Sequence, residues 1–92
     1  MSPTRRTPVA LRTLSLYTRP GCHLCEQMKA VIARVARRRP LALVEVDIST
    51  DPGLERRYAH DIPVLLIGGL EIARHRIDEQ QLLSVLDRDQ LE

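Results

Sequence analysis

The stretch Leu14-Ser15-Leu16-Tyr17-Thr18-Arg19-Pro20-Gly21-Cys22-His23-Leu24-Cys25 decides how this chain is read. Leu14 to Thr18 alternates apolar and polar side chains, the two-residue period of a strand. Pro20-Gly21 breaks that pattern. Beyond it the period changes. Leu24, Met28, Val31, Ile32 and Val35 recur at helical spacing, with Glu26, Lys29, Arg34 and Arg37 on the opposite face. Cys22 and Cys25, the only cysteines present, therefore stand where a strand hands over to a helix. Thiols at this spacing can close a small, reducible disulfide. The free N–H groups of a helix start also stabilise a thiolate. Thiol–disulfide chemistry is the strongest functional signal in the sequence.

Working outward, the arginine run Arg37-Arg38-Arg39 suits a helix C-terminus by charge, and Pro40 ends the helix. Its plain reading is a solvated cap. Leu41 to Ile48 reads as a second strand, rich in apolar and β-branched residues. Asp51-Pro52 resembles an N-cap followed by proline at the first helical position, opening a short helix through Tyr58. Ile62-Pro63 interrupts, and Val64 to Ile67 forms a third strand. Gly68-Gly69 offers a tight hairpin turn into a fourth strand, Glu71 to Arg76. Asp78 with Gln81 resembles a capping box, with Ile77 and Leu82 as its hydrophobic staple. A last helix runs through Leu86. The order βαβαββα predicts an α/β fold: a four-stranded mixed sheet flanked by three helices, its first two strands parallel.

A chain of 92 residues holds one small domain with one modest core. Lacking Phe and Trp, that core must be aliphatic. Residues 1–11 read as a flexible N-terminal tail and 12–92 as the domain. The formal net charge of +2 and only two aromatics, Tyr17 and Tyr58, argue against nucleic-acid binding. No apolar run is long enough to span a membrane. Arg5-Arg6 is followed by Pro8 and Arg12, not by the apolar core of an export signal. A cytoplasmic location is expected, where Cys-x-x-Cys is more often catalytic or metal-binding than structural.

Taken together, three features resemble a glutaredoxin of the thioredoxin superfamily, in particular the small glutaredoxin-like subfamily of bacterial proteins. Tyr17 to Cys25 looks like the family's strand, basic residue and Cys-x-x-Cys. Asp61-Ile62-Pro63-Val64 sits where the family has Thr-Val-Pro, whose proline is cis. The element order agrees. The likeness spans about residues 12–92. It implies a thioredoxin-like fold, a role in cell redox homeostasis and a dithiol–disulfide oxidoreductase with Cys22 as nucleophile and Cys25 as resolving thiol. Arg19 and His23 would favour the thiolate by charge. Ile62 and Pro63 would meet an extended substrate through the backbone of Ile62. A disulfide-bearing protein or small molecule would be the substrate, and a monomer is expected.

The sequence also departs from the family. His23-Leu24 stands between the cysteines where glutaredoxins usually carry Pro-Tyr. Counted from Pro63, the family's glutathione-binding glycine pair and acidic residues are replaced by Ala73, Arg74 and their neighbours, and Gly68-Gly69 lies earlier, in the turn. No cofactor is implied. The reductant is either glutathione or a dithiol reductase. Arg74, with Arg76 two residues on, would replace glutathione contacts by pairing with carboxylates; the plain alternative is a strand edge kept soluble by charge.

Two other classes compete. Cys22, His23 and Cys25 can ligate zinc or copper, with His60 and His75 as distant further donors. Copper carriers, however, have a βαββαβ order and a methionine before the motif. A thioredoxin-fold binding module without catalysis is the other rival, and the presence of both cysteines argues against it. No metal site is expected.

Overall fold

The computed structural model describes residues 12–91; the expected N-terminal tail lies outside them. Its elements are β1 (Arg12–Thr18), α1 (His23–Ala36), β2 (Leu41–Asp47), α2 (Pro52–Tyr58), β3 (Val64–Ile67), β4 (Leu70–Arg74) and α3 (Glu79–Leu91). A single 3-10 turn, Ile48–Thr50, joins β2 to α2. The strands form one sheet in the order β2-β1-β3-β4. β1 runs parallel to β2, and β3 runs antiparallel to both β1 and β4. This is the mixed four-stranded sheet with three helices that the sequence predicts.

The core follows from the periodicities. Leu14 and Leu16, two residues apart on β1, are fully buried on one face of the sheet. Met28, Ile32 and Val35 recur on one side of α1 and meet them, while Leu82, Leu83 and Leu86 of α3 and Leu65 of β3 complete the cluster. Each such leucine contributes about 1.5–3 kcal/mol by leaving water. A second, smaller cluster is made by Cys25, Ile48 and Ile62, with Tyr17, Cys22, Leu54 and Tyr58 packed against it. The candidate site is built on this second cluster.

Element ends show where local signals compete. α1 stops at Ala36, and Arg37–Arg39 form a turn in which the N–H groups of Arg38 and Arg39 both donate to the Val35 carbonyl, at 2.8 and 2.9 Å. Arg39 precedes Pro40, whose ring disfavours helical backbone before it. The fourth strand ends at Arg74 rather than Arg76, because His75 turns into the left-handed region with φ 73°. Arg76 therefore lies past the strand, and the alternation expected to align it with Arg74 does not apply. α3 continues beyond Leu86 to Leu91.

The expected turn and cap devices are present. Gly68 and Gly69 take φ of 56° and 80°, the pair of left-handed residues that a two-residue hairpin turn requires. Asp78 N–H donates to Gln81 Oε1 at 2.9 Å, and Gln81 N–H donates to Asp78 Oδ1 at 2.8 Å. That reciprocal pair is a capping box, and Ile77 and Leu82 are both buried beside it.

Candidate active site

β1 ends at Thr18, and the chain turns through Arg19, Pro20 and Gly21 before α1 begins. The turn is closed by the Cys22 N–H, which donates to the Arg19 carbonyl at 3.3 Å. Cys22 is the N-cap of α1, with extended backbone. Its Sγ accepts the backbone N–H of Cys25 at 3.1 Å. A sulfur there takes the place of a capping oxygen and faces the positive end of the helix dipole.

Cys22 and Cys25 are disulfide-bonded, with their Cα atoms 5.2 Å apart. The two sulfurs are not equivalent. Cys25 is fully buried, whereas Cys22 is partly exposed. Of the two, Cys22 is the more accessible residue.

The Ile62–Pro63 peptide is cis, as the resemblance implies. Pro63 is buried, and Ile62 packs with Cys25 in the second cluster. This brings the segment before β3 to the cysteines, 37 positions after Cys25 in the case of Ile62. The backbone of Ile62 is only half available. Its N–H donates to the Tyr58 carbonyl at 3.2 Å, so the expected open backbone reduces to the carbonyl. The Pro63 carbonyl is held by the His75 N–H at 2.8 Å.

Among the remaining predicted residues, Arg19 directs Nη1 to Glu55 of α2 at 2.6 Å, tying the cysteine turn to that helix. His23 is exposed at the start of α1, where the Gln27 side-chain nitrogen lies 3.1 Å from its Nε2. Arg74 turns to its own protein: Nε and Nη2 bond Glu71 at 2.6 and 2.8 Å, and Nη1 reaches Asp61 at 3.2 Å. Asp61 immediately precedes Ile62, so Arg74 braces the cis-proline segment. The His75 ring supports the same loop, with Nε2 3.1 Å from the His60 carbonyl.

The electrostatics follow from these pairs. The hydroxyl and N–H of Ser49 hold the Asp47 carboxyl below its ordinary value, with a smaller pull from Arg19. Arg74 does the same to Glu71. The Glu71 hydrogen bonds, then the charge of Asp61, raise Arg74 further. Lys29 is raised by its bonds to Glu26 and Glu45.

Sequence reasoning missed the role of the aromatic pair. Tyr17 and Tyr58 meet edge to face with centroids 4.8 Å apart and pack against the cysteine cluster. The available signal was Leu54 and Tyr58 at i,i+4 on α2, which marks one apolar face. Glu55, the partner of Arg19, carried no signal.

Among the described residues, no group of three or more His, Cys, Asp or Glu side chains is gathered to hold a metal ion. No helix among them is long and apolar enough to cross a membrane.

The sequence profile of the glutaredoxin-like domain (DUF836) matches residues 13–87. The chain belongs to that family. This glutaredoxin-like domain is 30% identical over 80 residues to the glutaredoxin-like protein YDR286C homolog of Dictyostelium discoideum, an alignment covering 80% of this chain and 74% of the relative. Its fold is similar to the X-ray structure of protein XcR50 from X. campestris, at 37% identity and TM-score 0.70, covering 82% of this chain and 96% of that one. It also resembles the solution structure of glutaredoxin from Brucella melitensis, at 26% identity and TM-score 0.54, covering 92% and 89% of the two chains. The α/β, thioredoxin-like fold of the glutaredoxin-like domain and its cysteine pair at disulfide distance together support a redox role.

Proposed function

We propose that this protein is a thiol–disulfide oxidoreductase that reduces protein or small-molecule disulfides. The observation that carries the proposal is the pair of unequal sulfurs: an accessible Cys22 at the helix N-cap, bonded to a buried Cys25. The cycle begins with both cysteines reduced. The Cys22 thiolate attacks one sulfur of a substrate disulfide, forms a mixed disulfide and expels the other sulfur as a thiolate, which takes up a proton. Cys25 loses its proton and attacks Cys22 Sγ. The bond from Cys22 to the substrate breaks, and the second substrate thiol leaves. The substrate has gained two electrons and two protons, and the protein holds the Cys22–Cys25 disulfide. Glutathione or a dithiol reductase returns two electrons to reopen it.

The other residues support these steps. The N–H groups at the start of α1 favour the Cys22 thiolate, both as attacking and as leaving group. Arg19 adds positive charge while also holding Glu55, and His23 lies exposed beside Cys22 at the start of α1. The Ile62 carbonyl is the backbone acceptor offered to an extended substrate, and Pro63 shapes the approach. Arg74, doubly paired, keeps that loop in place. A reducing cytoplasm suits this chemistry, and the protein acts as a monomer.

Reduction of insulin or of a model mixed disulfide tests the proposal. The wild type turns over, Cys22→Ser does not, and Cys25→Ser accumulates a covalent adduct detectable by mass. Turnover that survives Cys22→Ser contradicts the mechanism.

A further inference from the structure

α3 has two faces. Leu82, Leu83 and Leu86 enter the main core, while Gln81, Ser84, Val85 and Arg88 recur at three- and four-residue intervals on the side turned to β4. Between that side and β4, the edge strand of the sheet, runs a groove of about 470 Å³. Its floor is apolar. Ile77 belongs to the main core, Ile72 and Ala73 pack against it, and Val85 is half-buried. A bulge serves this floor, because β4 has Ile72 as an extra residue between the pairs Leu65–Ala73 and Leu66–Glu71. His75 then ends the strand with its left-handed backbone, and Arg76 just past it also lines the groove. None of the lining residues belongs to the cysteine cluster.

The charges on this groove are all of one sign. Arg74, Arg76 and Arg88 line it, and among the described residues no carboxylate does. Arg74 is taken up by Glu71 and Asp61. Arg76 and Arg88 are exposed, and neither guanidinium pairs with a carboxylate among the described residues. The described carboxylates at and within α3 are engaged elsewhere: Asp78 caps Gln81, Glu79 holds Arg34 and Asp87 holds Arg39. Gln80 and Ser84 add neutral polar groups to the lining. An apolar floor with a few polar groups, in a volume of about 300–1,000 Å³, is the make-up of a small-molecule site.

We infer that this groove binds a small organic anion, its aromatic or aliphatic body on the floor and its carboxylate, sulfonate or phosphate met by the guanidiniums of Arg76 and Arg88. The site is separate from the thiol chemistry and does not depend on it. Guanidinium–anion hydrogen bonds are charge-assisted. In a groove open to solvent they favour the anion over its uncharged analogue about fivefold, and salt weakens that preference.

The test uses the full oxidised chain and two fluorescent probes, anilinonaphthalene sulfonate and its uncharged parent phenylnaphthylamine. Backbone amide chemical shifts locate each probe, and fluorescence titration gives the ratio of their affinities. The sulfonate is expected to shift Ile72, Ala73, Ser84 and Val85, to leave Leu54 and Tyr58 unmoved, and to bind about fivefold more tightly than its parent. That ratio falls to about one in the double variant Arg76→Gln, Arg88→Gln. It falls likewise in Ser84→Glu, which sets a carboxylate one helical turn before Arg88. Shifts confined to other residues, equal affinity of the wild type for the two probes, absence of binding, or a ratio that survives both variants overturns the inference. Each of these results leaves the reductase reading untouched, since neither probe carries a disulfide.

Discussion

Cys22 Sγ lies 3.1 Å from the backbone nitrogen of Cys25, whose N–H points at it from the first turn of α1. That contact makes sense of a cysteine at an N-cap. A thiol caps a helix poorly, but a thiolate is a good acceptor for an otherwise unpaired N–H, in the favourable end of the dipole. In the dithiol form, alkylation of Cys22 should therefore show a pH midpoint below about 7.5, against about 8.5 for a free cysteine. Cys25, fully buried, should react only when the protein unfolds. Iodoacetamide labelling read by mass spectrometry checks both statements, and a Cys22 midpoint near 8.5 would contradict them.

Acid should weaken the fold through Asp47 and Glu71. Both carboxyls are held below their ordinary values of 3.8 and 4.5, Asp47 by Ser49 and Glu71 by Arg74. Each binds its proton less readily in the folded chain than in the unfolded one. Their stabilisation is thus complete above the unfolded values and is lost as pH falls through the lower folded ones. Thermal melts from pH 6 down to pH 2 should show Tm falling below about pH 4.5. The fall should be shallower in Asp47→Asn and Glu71→Gln, and an unchanged slope in both variants would refute the assignment.

Leu16 is fully buried at the centre of β1, facing α1. Leu16→Ala should cost about 2–5 kcal/mol, the transfer free energy of the lost methyl groups plus the cavity left behind. Guanidinium unfolding of the oxidised protein measures it; a loss under about 1 kcal/mol would mean that the core collapses to refill the space.

The box at the start of α3 makes a smaller, separable prediction. Asp78→Ala removes the acceptor for the Gln81 N–H and should cost about 1 kcal/mol. Guanidinium unfolding of the oxidised protein measures the loss, and a variant as stable as the wild type would show that the Gln81 N–H finds another acceptor.

Much of this was legible from local pattern. The period of two in Leu14 to Thr18 and the helical spacing of Met28, Ile32 and Val35 became the facing halves of the main core. Asp51, Asp78 and Gly68-Gly69 act where their local chemistry places them, because caps and tight turns are made by residues close in sequence. The boundaries were less readable. The left-handed His75 cuts β4 short, and that is a choice of one residue's backbone on which its neighbours give no signal.

The site divides along the same line. The sequence alone determined that two thiols meet the start of a helix, since a three-residue separation and a break at Pro20-Gly21 leave little choice. Only the tertiary structure decided what surrounds them: the approach of Ile62 to Cys25, the capture of Arg19 by Glu55 and the turning of Arg74 to Asp61. Arginines are long and find whichever carboxylate or ring the packed chain brings within reach. That pairing is fixed by the distances between elements, which no local pattern of residues encodes.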